Sequence, residues 1–506
     1  MVNISNKFIN PIIPGFYPDP SICRVKDDYY LVTSTFEYFP GVPIFHSKDL
    51  VHWEQIGHCL TRDSQLNLNN IKSSSGIFAP SLRYHEGMFY MITTNFRGDG
   101  HFYVYTDNPY GEWSEPIYVE GQGFDPDLFF DDDGKVYFIR EDFLGHGIRL
   151  WEIDIKTGKL MGEENLIWDG FEDRLCEAPH IYKINEFYYL MVAEGGTHKG
   201  HMVVMARSSA VDGPYEGCLN NPILSNRCNV LHPIQATGHA DLIQIQDGTW
   251  WLVFLGIRQV GGYHNLGRET FLAPVEWDVN GWPVVNHNKT IEFEMDAPKL
   301  DSCKYSEEKT RDEFEGHKLN FFWNFRRNPD EEVWSLKDRR GYLKLACTKF
   351  NLNDMEMKSF VGRRQRHLQC KAQTFMEYKP LNIGDESGLT VIMNEEHHYE
   401  IALLKDENEV NVIVRRKIGD LQSVVYKESY NEEFIVLSVE ADKYKYSFGY
   451  GKNTDEIKYV YSAQAKYLST EVAGGFTGVY LGMYATSNGN KSLSSAYFDW
   501  FEYSHK

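Results

Sequence analysis

No stretch of this chain is long and apolar enough to cross a membrane as a helix. Its longest apolar run is TWWLVFLGI, Thr249–Ile257, whereas a span needs about 20 residues. The opening residues, MVNISNKFINPIIPG, lack the apolar core of roughly 7–15 residues that marks an export signal, so none is expected. The cysteines, at positions 23, 59, 176, 218, 228, 303, 347 and 370, never form a CxxC pair. That removes the common zinc and dithiol spacings and predicts reduced, mostly structural thiols in a cytoplasmic protein. Basic residues are in deficit, with 51 Lys and Arg against 72 Asp and Glu and a formal net charge of −21. Phosphate backbones and anionic bilayers are repelled by such a chain, so neither nucleic acid nor a membrane is an expected partner. A neutral substrate is indifferent to this sign. Long amphipathic helices are also missing, which excludes an α/β fold.

Strands, turns and aromatics fill the space. The composition, 42% hydrophobic and 24% charged, is that of a globular chain, and 506 residues predict two or three domains. Aromatics reach 15%, which suits strands and flat stacking surfaces. Five segments align as a repeat: DPSIC from Asp19, APSLR from Ala79, DPDLF from Asp125, APHIY from Ala178 and HADLI from His239. Each leads into a turn and then an aromatic strand, as in KDDYYLVTS, DDDGKVYFIR and QDGTWWLVFL, which are hairpin patterns. A single sheet of a few short strands cannot bury both faces, but five packed radially can. The prediction is an all-β chain: a five-bladed β-propeller over 1–298, a polar linker over 299–312 and a β-sandwich of jelly-roll, concanavalin-like type over 313–506. The last part shows period-two strands such as YLKLAC, HYEIALL and YFDWFEY.

Equivalent positions of a propeller repeat meet at one mouth of the central channel. The first repeat position holds Asp19, Ala79, Asp125, Ala178 and His239, and Glu177 stands one place earlier in the fourth unit. Three carboxylates and a histidine are therefore expected to converge. A lone Asp-Pro is usually a turn; three acids in matching positions point to a metal cage or to a general acid and base. Glu177 lies between Leu-Cys and Ala-Pro, an apolar setting that raises a carboxyl pKa. Asp19 is flanked by prolines, which restrict its backbone. His239 reads equally as a channel metal ligand or as a hydrogen-bonded channel histidine. The run Asp131–Gly134 matches the hairpin turn of the other units and is read as solvated rather than as a calcium loop. Phe36, Tyr38, Phe39 and Phe78 are candidates for stacking on a sugar ring.

At these residues the chain resembles glycoside hydrolase family 43, in its two-domain β-xylosidase/α-L-arabinofuranosidase branch. The likeness runs through NPIIPGFYPDPSIC, STFEYFPGVPIFHSKDLVHW, GIFAPSLRYH, GFDPDLFFDDDGKVYF, CEAPHIYK, AEGGT, ATGHADL and LGRETFLAPVEW, and then through VGRRQRH, SGLTVIMNEEHHYEI and GGFTGVYLGMYATSN. The resemblance implies Asp19 as the base that activates water, Asp125 as the group that orients the acid and tunes its pKa, and Glu177 as the acid. It implies that Arg268 reaches the glycone hydroxyls, and that His239 is the channel histidine that holds a water or a calcium ion in relatives. Phe78 stands where many xylosidase relatives carry Trp, and Phe476 matches an aromatic that the sandwich lends to the pocket. The implied activity is inverting, exo-acting release of β-D-xylose from short xylo-oligosaccharides, with no required cofactor, a structural calcium left open, and self-association as in many relatives. Inversion implies acid and base roughly 6.5–9.5 Å apart. The rival readings are α-L-arabinofuranosidase activity, alone or in addition, and a sugar-binding propeller without catalysis. A retaining fructosidase-type enzyme is disfavoured, since its Asn-Asp-Pro-Asn and Arg-Asp-Pro motifs are replaced here by Tyr-Pro-Asp-Pro and Phe-Asp-Pro.

Overall fold

The structure, a computed structural model, describes residues 7–142, 147–172, 175–305 and 308–505. Five antiparallel sheets follow one another along the first part of the chain. Their first strands are Ser21–Val25, Ser81–His85, Asp127–Phe130, Glu177–Ile184 and Ile234–Gln244. Four of the sheets have four strands; the second carries an extra short strand, Gly76–Ile77, on its Met88–Phe96 strand. The five first strands touch in chain order and the fifth returns to the first, so the ring closes as a propeller. Closure is reinforced at the rim, where Lys7–Ile9 pairs with Glu294–Asp296. Beside it the Asn10 side chain donates to the Leu272 carbonyl at 3.0 Å and accepts from the Leu272 amide at 2.9 Å.

The hairpin turns lie where the repeat places them. In the third blade Gly134 has φ +86°, and its amide closes the turn on the Asp131 carbonyl at 3.1 Å. This turn differs from the expected solvated one in its first residue. The Asp131 carboxylate is buried and accepts from Lys183 Nζ at 2.9 Å and Tyr188 OH at 2.8 Å, pinning the third blade to the fourth.

One guanidinium ties the blades together at the hub. Arg83, in the second blade, donates to Asp127 of the third at 2.7 Å and to Asp241 of the fifth at 2.8 Å. It also donates to His180 Nδ1 of the fourth at 2.8 Å and to Ser21 Oγ of the first at 3.3 Å. Asp127 and Asp241 are wholly buried. Although burial opposes it, the Arg83 charge holds the Asp241 carboxyl far below the ordinary range. Ser21, Asp127, His180 and Asp241 all occupy the third position of the repeat.

The second part is a sandwich of an eight-stranded and a six-stranded sheet. Arg311–Asp312, at the end of the expected linker, already pairs with the strand Ser495–His505. The six-stranded sheet turns one face to the propeller, where Phe360, Ile413, Tyr480 and Met357 form one apolar cluster with Phe16, Phe36 and Tyr38. The seam is also hydrogen-bonded, since Tyr38–Phe39 pairs as a strand with Phe325–Arg326.

Leaving two buried carboxylates without their cation costs about 3–5 kcal/mol. Arg83→Met is therefore expected to lower the melting temperature sharply, as followed by circular dichroism. A change equivalent to less than ~1 kcal/mol would remove this arginine from the stability of the ring.

Candidate active site

The first repeat position is built by an unusual backbone. Asp19, Asp125, Ala178 and His239 all adopt left-handed conformations, with φ of +55°, +49°, +52° and +47°. For residues with a Cβ this region costs of order 1–3 kcal/mol each and persists only where the surroundings enforce it. The ladder breaks register at the same places, between Glu177 and His180 and around Gly238–Ala240. The kink ends the regular pleat at the hub, so the first position faces the channel mouth while the third reaches Arg83.

Asp19 is the most tightly held of the carboxylates. Arg268, from the fifth blade, donates to it through Nη1 at 2.7 Å and Nη2 at 3.3 Å, and Ser34 Oγ donates at 2.5 Å. His239 Nδ1 lies 3.6 Å from Asp19 and 3.9 Å from Asp125. Burial pushes the His239 imidazole down to about 3, so it is neutral. Asp125 is pushed well above its ordinary value by burial and by the Glu177 and Asp19 charges. Its carboxyl takes a hydrogen bond from the Ala178 amide, which fixes the backbone directly beside Glu177. Glu177 is raised to about 7, first by burial and then by the Asp19 charge, against the downward pull of Arg268. One acid thus stands ion-paired while another keeps its proton near neutrality, the asymmetry that acid–base catalysis needs.

An aromatic wall closes one side. The Phe36 ring lies 5.3 Å from Phe78 and 5.9 Å from Phe476 between centroids, and the guanidinium carbon of Arg268 stands 5.6 Å from both Phe36 and Phe476. Phe476 is supplied by the sandwich and is anchored by its amide, which donates to Ser74 Oγ at 2.8 Å. Asp19, Asp125, Glu177, His239, Arg268, Phe36, Phe78 and Phe476 therefore gather at one mouth. Tyr38 and Phe39 do not. Tyr38 stacks on Tyr480 at 3.8 Å and Phe39 lies in the interdomain strand pair, so both serve the seam.

Several site residues have no equivalent in the repeat alignment. Ser34 follows the second strand of the first blade, and Thr197, in the AEGGT segment, accepts from Arg268 at 3.3 Å. Phe96 stacks on Phe78 at 4.5 Å. Glu141, buried beside Asp125 and Glu177, is raised to about 10 by burial and by their charges. Each comes from a position other than the repeat start, so alignment of repeat starts passes over them. Calcium takes about six to eight oxygen ligands; Asp19 is engaged by Arg268 and Ser34, and no group of three or more His, Cys, Asp or Glu among the described residues is arranged to hold an ion.

A propeller with clustered acids at one mouth and a sandwich against its rim defines a class of carbohydrate-cleaving enzymes. Residues 8–283 match the model of glycosyl hydrolases family 43, and residues 311–504 match the β-xylosidase C-terminal concanavalin A-like domain. The chain is 42% identical to the non-reducing end alpha-L-arabinofuranosidase BoGH43B of Bacteroides ovatus, covering 99% of this chain and 96% of that one. It is 35% identical to a beta-xylosidase of Bacillus subtilis, covering 99% and 100%. Among solved structures, the xylan beta-1,4-xylosidase of Bacillus halodurans superposes with a TM-score of 0.94 at 34% identity, over 98% of this chain and 100% of that one. The chain belongs to glycoside hydrolase family 43 and is a glycosidase.

Because Arg268 pulls the Glu177 pKa down, Arg268→Met is expected to move the alkaline limb of the kcat/KM profile to higher pH while lowering its plateau. An unmoved limb would separate the guanidinium from the proton on Glu177.

Proposed function

We propose that this enzyme removes single β-D-xylose residues from the non-reducing ends of short xylo-oligosaccharides by one inverting displacement. The observation that carries this reading is the electrostatic split between Asp19, ion-paired at 2.7 Å with Arg268, and Glu177, raised to about 7 in a partly buried site. Asp19 takes a proton from a water placed on the face of the sugar opposite the leaving group. That water attacks the anomeric carbon as the glycosidic bond breaks, and Glu177 passes its proton to the departing oxygen. Asp125, bonded to the Ala178 amide, keeps Glu177 aimed. The Phe36–Phe78–Phe476 wall closes the pocket behind one sugar, which favours cleavage from a chain end. Eight free thiols, six of them buried, support a reducing compartment, where imported oligosaccharides would be the substrate.

The second reading is α-L-arabinofuranosidase activity, alone or alongside. The Bacteroides ovatus relative, a non-reducing end alpha-L-arabinofuranosidase by name, favours it, and a pocket separates near-isosteric sugars weakly. Initial rates on aryl β-xyloside and aryl α-arabinofuranoside decide between them.

Inversion requires α-xylose as the first product of a β-xyloside, read by proton NMR before mutarotation; β-xylose would refute it. Asp19→Asn is expected to lose at least ~10²-fold on every substrate. Glu177→Gln is expected to lose as much on xylobiose but much less on an aryl xyloside with an acidic phenol, which departs with little protonation. Equal losses on both substrates would contradict the acid assignment. In the wild type, activity is expected to fall as pH rises through about 7, where Glu177 gives up its proton.

A further inference from the structure

The sandwich loop that carries Phe476 is zipped along the propeller loop that leads to Arg268. It runs from the turn Ala465–Leu468 through a single helical turn, Thr470–Ala473, to the strand Tyr480–Thr486. Thr470 donates its amide to the His264 carbonyl at 3.1 Å, and Val479 donates to the Asn265 carbonyl at 2.9 Å. Between them Gly478 sits so close that a Cβ would come within 2.5 Å of the Leu266 carbonyl oxygen. A side-chain clasp between these two segments is made by Glu471. Its Oε1 lies 2.7 Å from His264 Nδ1, and its Oε2 accepts the His264 amide at 2.9 Å. His264 is buried, and although burial opposes it, the hydrogen bonds from His264 hold the Glu471 carboxyl below the ordinary range.

A helix of four residues cannot hold its own orientation. Its direction is set by what grips it from outside: Glu471 on the propeller side, and on the sandwich side Asn394, whose Nδ2 donates to the Ala473 carbonyl at 3.0 Å. Three residues before the zip ends, Phe476 projects to within 5.6 Å of the Arg268 guanidinium carbon. Neither Glu471 nor His264 belongs to the acid–base set, which comes from the first, third and fourth blades.

We infer that Glu471 is a positioning residue of the glycone pocket: through His264 it fixes the spacing between Phe476 of the sandwich and Arg268 of the propeller. The inference rests on the glycosidase reading of the same site. It assigns the second domain a part in substrate affinity that runs through one carboxylate rather than through bulk packing.

The test compares Glu471→Ala with Glu471→Gln in two backgrounds, wild type and Phe476→Ala. The substrate is whichever of aryl β-xyloside and aryl α-arabinofuranoside the wild-type enzyme cleaves faster, so a wrong sugar assignment changes the substrate used and not the outcome read. Loss of one aromatic contact is worth about 0.5–1.5 kcal/mol, which corresponds to a rise in KM of roughly two- to ten-fold. Glu471→Ala is expected to raise KM by that factor with kcat changed less than about two-fold, the pattern of lost uniform binding. Glu471→Gln, which keeps one acceptor for His264, is expected to restore part of the affinity. In the Phe476→Ala background the Glu471 substitutions are expected to add less than about 1.5-fold, since the contact they act through is gone. An undiminished effect in that background, or an unchanged KM in the wild-type background, would overturn the inference. If the alanine variant does not fold, the glutamine variant in both backgrounds carries the same comparison.

Discussion

The ring of blades depends on a buried charge being satisfied from all sides. Arg83 contacts residues of the other four blades, and two of its partners are carboxylates with no access to water. Apolar packing between blades is non-directional and would tolerate small rotations. A planar guanidinium with fixed donor directions does not, because each N–H must keep its acceptor. The hub thereby fixes the angular setting of every first strand, and the residues at the starts of those strands inherit that precision.

The repeat thus has two faces. Its third position makes the structural knot, with Ser21, Asp127, His180 and Asp241 around Arg83. Its first position, turned away by a left-handed residue, makes the chemistry. Blades diverge at the first position, where Ala79 and Ala178 replace the acids, and Glu177 enters from the neighbouring place. Several strained residues around one cavity are affordable only because the knot beneath them is so strongly determined.

Much of this was legible in the sequence, for identifiable reasons. The spacing of DPSIC, APSLR, DPDLF, APHIY and HADLI encodes a ring because each unit must bury its faces against neighbours, and that logic reaches Asp19, Asp125, Glu177 and His239 without coordinates. Arg268 and Phe476 were reached through the family likeness, since nothing in their local pattern marks a site. Ser34, Thr197 and Glu141 escaped because they lie on later strands or loops, where the direction of a side chain depends on bulges and kinks that alternation cannot supply. The double role of the aromatics was likewise hidden. Phe36 faces the pocket while Tyr38, two residues on, stacks on Tyr480 in the seam. Phe36 precedes the short strand in a left-handed conformation, φ +51°, while Tyr38 begins that strand, a difference that composition could not supply. Arg268 offers a similar lesson, because its ion pair with the buried Asp19 joins the fifth blade to the first, a contact that its local sequence does not announce.

The pairing of Lys7–Ile9 with Glu294–Asp296 has a bearing on biogenesis. Asp19 meets Arg268 across 249 residues of chain, and the rim strand must wait still longer for its partner. On the ribosome, therefore, early blades emerge without their closing neighbour, with Arg83 still lacking Asp241 and Asp19 still lacking Arg268. Such a nascent chain exposes strand edges that invite wrong pairing. Ring completion and assembly of the acid–base machinery are consequently one late event, so partially synthesised or truncated chains lack hydrolytic power however well their individual sheets have formed.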